Sequence, residues 1–364
     1  MNSDKNKTIY IIMPNPNISK QLKKMIDAAV QNYTAVFITL LEEKVDLRNK
    51  NLLFAVELNI CSLDLYMSEF LVKLSNTQEN SVDKKESLSG SIGAILVHST
   101  DDLGTKRFAQ DVIFLANRLG CTFIGHPLVE ATATLKNFLT WQKRLPITLE
   151  QICTEMCSNL GKRLLETNPV ISNNPIITVL YSSPHKTSNT LDLWHMVSKN
   201  IDNCIINEIQ VENGAVQDCK GCLYKLCTHY GKKNRCFYGG AMVDTILPAV
   251  EKSDALVWLC PNYNDAISAN LSAVINRLTV LYHKMDFCNK SLFGVIVSGN
   301  SGSDSVAKQL IGALNINKGF KLPAKAMLMA TANDPNAIFK VENIEKKAAD
   351  FSNNILNNFE IFKR

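Results

Sequence analysis

Two rhythms alternate along the chain. Short runs of β-branched and aliphatic residues are followed by stretches in which apolar residues recur every three or four positions. In the first half the runs predict strands at Thr8–Met13, Ala35–Leu41, Leu53–Asn59, Ile92–Ser99 and Cys121–Gly125. Helical spacing lies near Ile18–Ala29, Leu63–Leu74 and Lys106–Leu119, and a long helical pattern, Leu149 to Leu165, closes the half. The polar stretch Ser75–Gly90 reads as an exposed, mobile insertion. Thr167–Pro175, with two prolines and three asparagines, reads as a linker. The second half repeats the rhythm. Strands are expected at Ile176–Tyr181, Cys204–Ile209, Ala255–Cys260, Leu292–Ser298 and Ala324–Ala330. Helices are expected at Thr190–Asn200, Met242–Glu251, Ala269–His283, Ser303–Leu314 and Ile338–Asn357. Such alternation predicts two α/β domains, 1–170 and 171–364, each a parallel sheet between helical layers. The shared element order suggests duplicates of one fold.

The 364 residues suit two domains of moderate size, and 46% apolar with 20% charged residues is ordinary for a water-soluble protein. A net charge of +5, without a basic run interleaved with aromatics, gives no case for nucleic acid. The N-terminus shows no signal-peptide pattern, and no stretch is apolar enough to span a bilayer. Eleven cysteines in that setting point to thiol, metal or redox chemistry in a reducing compartment, the cytoplasm.

Chemistry concentrates where strands end. After Ile176–Tyr181 comes Ser182-Ser-Pro-His-Lys-Thr-Ser-Asn-Thr190, and Leu191, Trp194, Val197 and Ile201 follow at helical spacing. A strand, a hydroxyl-rich turn and a helix N-terminus offer free N–H groups and a positive dipole end to a phosphate. The same residues would equally make an N-cap cluster with nothing bound. After the third strand comes Pro261-Asn-Tyr-Asn264, with Ser268 before the next helix, and after the fourth comes Gly299-Asn-Ser-Gly302. In an open parallel sheet these loops share the carboxyl edge, where ligands bind. The matching loop of the first half, Pro14-Asn-Pro-Asn-Ile-Ser19, has two prolines without N–H groups and would cradle a phosphate poorly.

The paired loops resemble those of the NAD(P)H-dependent FMN reductases of the flavodoxin-like superfamily, over about residues 174–358. Those proteins join a loop of the form G-S-P-R-x-x-S/G-N-T to a later P-x-Y loop, a leucine and an Asp-Arg-like pair. Here these are Ser182–Thr190, Pro261-Asn-Tyr263, Leu271 and Asn276-Arg277. The resemblance implies two tandem flavodoxin-like three-layer α/β/α domains with five-stranded parallel sheets of order 2-1-3-4-5, the N-terminal one degenerate and flavin-free. It implies an FMN phosphate held by Ser183, His185, Thr187, Ser188, Asn189 and Thr190. His185 stands where the family usually has Arg, and Ser182 where it has glycine. Pro261, Asn262 and Tyr263 would flank the flavin ring, with Asn264 and Ser268 beside them. Gly299, Asn300, Ser301 and Gly302 would offer backbone N–H groups to its other edge. Tyr263 also reads as a plain turn tyrosine. The implied activity passes electrons from NAD(P)H through FMN to a small acceptor: a quinone, a nitro or azo compound, or a dedicated metabolite. The implied assembly is a homodimer, or an intramolecular pseudo-dimer in which the first half covers the flavin. A flavodoxin-like binding protein without enzymatic activity is a further alternative.

Cys219, Cys222, Cys227 and Cys236 form C-x₂-C-x₄-C-x₈-C among Lys220, Lys225, Lys232, Lys233 and Arg235. A [4Fe–4S] cluster, a Cys₄ zinc site and free or redox-active thiols are the three readings. Iron–sulfur flavoproteins resemble this chain in carrying cysteines here, with two residues rather than four between the second and third. That implies an electron carrier with a redox protein partner as the alternative function.

Overall fold

The computed structural model describes residues 8–40, 45–79, 86–167, 170–171, 174–183, 187–233 and 235–360. It divides into two compact units, Met1–Asn168 and Pro169–Arg364. In the first, β1 (Thr8–Ile12), α1 (Lys20–Val30), β2 (Thr34–Ile38), β3 (Asn51–Leu58), α2 (Leu65–Glu79), β4 (Ile92–Ser99), α3 (Thr105–Arg118) and β5 (Thr122–Thr132) are followed by a short α4 (Leu139–Gln142) and α5 (Leu149–Glu166). The strands pair in parallel in the order β2-β1-β3-β4-β5. β3 and β4 are apolar and almost wholly buried, as a central parallel sheet covered on both faces requires.

The second unit begins at β6 (Val170–Ile171), which pairs with β12 (Phe359–Glu360). Between them run β7 (Ile176–Tyr181), α6 (Asn189–Ser198), β8 (Ile205–Gln210), α7 (Tyr224–Gly231), α8 (Leu247–Lys252), β9 (Ala255–Pro261), α9 (Ala269–Arg277), α10 (Thr279–Tyr282), β10 (Ser291–Ser298), α11 (Ser303–Leu310), β11 (Met327–Thr331) and α12 (Ile344–Asn357). The main sheet reads β11-β10-β9-β7-β8, all parallel. Counted from its own first strand this is 2-1-3-4-5, as in the first unit. Both sheets are therefore flavodoxin-like.

Four segments depart from the sequence reading. β5 runs on past Gly125 to Thr132, through Pro127, with a bulge against Gly93 and Ile95. Among the described residues it pairs only with β4, and an edge strand tolerates a proline. Arg163 on α5 donates to Gly125 O and His126 O (3.1 Å) and holds the bulge. The stretch 75–90 is not an exposed insertion throughout: α2 runs into it to Glu79, and Leu88 beyond is fully buried. The helix expected over 242–251 opens as a π turn, Met242–Ile246, because Pro248 has no N–H for the α pattern. The helix expected from Ile338 is a 3₁₀ turn, Ala337–Lys340, then α12, broken at Asn343 with φ +57.

α5 starts with a full capping box: Gln151 N donates to Thr148 Oγ1 (3.2 Å), and Thr148 N to Gln151 Oε1 (2.9 Å). It crosses α1 so closely that a Cβ on Gly161 would overlap the Ala29 carbonyl oxygen. Gly161→Ala gains about 1 kcal/mol of helix propensity against an overpacking cost of about 1–3 kcal/mol. The expected net result is a loss of up to about 2 kcal/mol in urea unfolding; a stabilised variant would show that the helices separate freely.

Candidate functional site

Three loops leave the carboxyl ends of β7, β9 and β10, and hydrogen bonds knit them. Ser182 Oγ meets Ser268 Oγ at 2.9 Å, joining the first loop to the second. Asn262 Nδ2 faces Asp265 Oδ1 (3.0 Å), Ser298 Oγ (3.1 Å) and Ser301 O (2.9 Å), joining the second to the third. Its Oδ1 is buried and finds no donor among the described residues. Ser298 Oγ in turn meets Ser303 Oγ at 2.6 Å.

The second loop is a tight reversal. Asn264 and Asp265 both take positive φ (56° and 55°), and Tyr263 bridges Ala266. Positive φ at both central positions defines a type I′ turn, and Asn and Asp tolerate it. The turn leaves Tyr263 52% exposed at the loop's end. Gly302, at φ +84, lies against this turn: a Cβ would overlap Asp265 Oδ1 and stand 2.9 Å from Asn262 Nδ2. Gln309 on α11 accepts from Ile267 N (3.2 Å) and donates to Asp265 O (2.7 Å), pinning the loop. Asn300 Oδ1 accepts from Ser301 N at 2.6 Å.

In the first loop Ser182, Ser183, Ser188 and Thr190 are buried and Thr187 is exposed. Ser188 caps α6, accepting from Leu191 N. Gln210 at the end of β8 donates to Ser183 O (3.0 Å). His185 lies outside the described residues, with its neighbours Pro184 and Lys186. Asn189 turns the other way: Nδ2 donates to Ala332 O and Asp334 O, and Oδ1 accepts from Ile338 N. It ties α6 to the loop after β11, so its amide serves the scaffold of this edge. Sequence reasoning missed Gln210, Asp265 and Gln309, and gave no side-chain role to Ser298 and Ser303, which bound the third loop. No local pattern marks an amide or hydroxyl that acts on a loop far along the chain. The α6 N-terminus, the buried hydroxyls beside it and the orphaned Asn262 Oδ1 fit a phosphate and a hydrogen-bonding ring edge.

The four cysteines share a second place. Cys219, Cys222, Cys227 and Cys236 all line one cavity of about 240 Å³, together with Arg277, Tyr224 and Tyr230 among others. The stretch contains a helix, α7, and Cys227 lies on it. Burial pushes the Cys227 thiol up, and so do its neighbours Cys219, Cys236 and Cys222. Among the described residues no three Cys, His, Asp or Glu side chains are already gathered as a metal site. Cys153 and Cys157 are buried in the first unit's core beside Gln21.

The corresponding edge of the first unit is filled by its own side chains. Glu57 Oε2 accepts from Ser19 N at 3.0 Å, at the start of α1, and Glu57 Oε1 lies 2.6 Å from His98 Nδ1. Ser19 Oγ lies 3.0 Å from that same nitrogen. Both contacts on one nitrogen leave no relay from serine through the ring to the carboxylate. Asp64 accepts from Glu57 N and Met67 N below them, and burial pushes its carboxyl up.

Among the described residues no helix is long and apolar enough to cross a membrane. Among curated proteins none matches the chain. Similar solved structures include the NAD(P)H:quinone oxidoreductase from Methanothermobacter marburgensis, 12% identical over 50% of this chain and 96% of that one, with a TM-score of 0.40. Another is an FMN-dependent NADH-azoreductase from Bacillus anthracis in complex with FMN, 11% identical over 50% of this chain and 99% of that one, with a TM-score of 0.37. Residues 175–334, which hold all three knitted loops, match the family model of the NADPH-dependent FMN reductases.

Proposed function

We propose that the second unit binds FMN and that the protein is a flavin-dependent NAD(P)H oxidoreductase acting on a small acceptor. The observation that carries this is the coincidence of the family match with three loops knitted at one sheet edge. Bound FMN would supply the hydride chemistry, which belongs to the cofactor. The chain's part is binding and orientation. Ser183, Thr187, Ser188 and Thr190, with the first N–H groups of α6, hold the phosphate, and His185 belongs to the same loop. Asn189 fixes the helix that presents those N–H groups. Pro261, Asn262, Tyr263 and Asn264 flank the ring, with Asn262 Oδ1 free to accept from its polar edge. Ser268 holds Ser182 in place, and Gly299–Gly302 close the opposite side. The acceptor is a quinone, a nitro or azo compound, or a dedicated metabolite.

The test is an absorption spectrum of the full chain purified without oxygen, followed by NADPH and NADH oxidation with a quinone and an azo dye. Flavin bands at about one per chain and turnover with either acceptor are expected. A colourless protein that stays colourless with added FMN overturns the reading in favour of a binding protein without redox chemistry.

A second reading is favoured by the four cysteines on one cavity wall. An all-thiol donor set suits a thiolate-bound centre, [4Fe–4S] or zinc. With iron and sulfide there, the protein would hand electrons to a redox partner, and the same sample assayed for iron, sulfide and zinc decides.

A further inference from the structure

We infer that Arg277 and Lys318 are the counter-charges of a dianionic thiolate centre in the cysteine cavity, and that its assembly depends on Arg277. This rests on the second reading above.

Arg277, at the end of α9, is 3% exposed and lines the cavity. Its guanidinium is always protonated. Nη1 donates to Gln217 O (3.4 Å) and Nη2 to Gly239 O (2.9 Å), while Nε has no partner among the described residues. Among the described residues it makes no ion pair, and no carboxylate lines the cavity. Asp218 nearby is exposed and already accepts from Asn276 Nδ2 and Cys219 N. A buried cation without an anion costs several kcal/mol, so an anion belongs beside it.

The cavity can supply one only through its sulfurs. Four thiolates around Zn²⁺, or around a [4Fe–4S]²⁺ core, leave the same net charge, a dianion. Lys220 and Arg235 also line the cavity but are exposed, whereas Arg277 and Lys318 are the two cations beside it that are shielded from solvent. Lys318 is half-buried, with Nζ 2.8 Å from Thr279 Oγ1 on the cavity lining; burial pushes its ammonium below the usual lysine range, and Cys219 and Cys227 oppose that. Arg277 also has a geometric part. Gln217 and Gly239 bracket the segment that carries all four cysteines, so one guanidinium sets how far apart its two ends lie. That makes it a positioning residue with one N–H left for a sulfur.

The full chain, purified without oxygen, is assayed for iron, acid-labile sulfide, zinc and FMN in wild type, Arg277→Gln, Arg277→Lys and Lys318→Gln. Wild type is expected to carry iron with matching sulfide, or zinc, which separates the two sources. Arg277→Gln is expected to retain less than about a tenth of it with FMN per chain unchanged, in the range seen when a metal site's supporting shell is lost. Arg277→Lys keeps the charge without the two-carbonyl clamp and should fall between. Lys318→Gln should release metal to a chelator about tenfold faster, and it carries the test if Arg277→Gln does not fold. Wild-type metal content and release in these variants overturns the role of the two cations and leaves the centre standing. A wild type with neither metal nor sulfide overturns both.

Discussion

Replacing Gly302 by alanine is expected to lower stability by about 3 kcal/mol and FMN affinity at least tenfold. A left-handed φ costs a non-glycine residue about 1–2 kcal/mol. The new Cβ would also overlap Asp265 Oδ1, and overpacking adds about 1–3 kcal/mol. Gly214 separates the two effects. Its φ is +79, and among the described residues a Cβ there meets nothing within 4 Å. Gly214→Ala should therefore show the conformational cost alone and keep FMN. The difference between the variants, read by urea unfolding and FMN titration, measures how rigidly the type I′ turn and the third loop hold each other. Identical behaviour of the two would mean the turn moves aside, and the knitted edge would lose its role in placing the ring.

Much of that edge is legible without coordinates. Apolar runs such as Ala255–Cys260 become fully buried strands, so every loop that follows one lies at the carboxyl end of the sheet. The hydroxyls after β7 and the glycines after β10 thereby acquire a common location. What the sequence withholds is the wiring. Asn189 looks like a phosphate donor because it precedes a helix, but the loop after β11 returns to the same place and claims its amide. Gln309 is an unremarked residue of an amphipathic helix until the fold sets it under the Asp265 turn. Arg277 reads as half of a family pair, and its burial between two loop carbonyls is a tertiary fact. The cysteine spacing shows that four thiols are close in sequence; only the path of the chain around α7 shows that they share a wall. The loop Pro14–Ser19 reads as a poor cradle from its prolines, and the reason it is also an occupied one lies on two other strands.

That occupant gives the second large effect. Glu57→Ala is expected to destabilise the chain by about 2–4 kcal/mol, because it removes a carboxylate that accepts from Ser19 N and meets His98, the Glu57 and His98 side chains both being largely buried. The loss would appear in thermal or urea unfolding, with Glu57→Gln losing less because its carbonyl can still accept. In the first unit Glu57 stands at the N-terminus of α1, the place that α6 offers to a phosphate in the second unit. The full chain should therefore bind one FMN, not two. Emptying the place does not convert it: Pro14 and Pro16 bring no N–H groups, so Glu57→Ala should still bind one. Two flavins per wild-type chain would show that the carboxylate yields to a phosphate. A neutral Glu57→Ala would show that water satisfies Ser19 and His98 equally well. A single flavin with a destabilised variant is what a sheet edge closed by its own carboxylate requires.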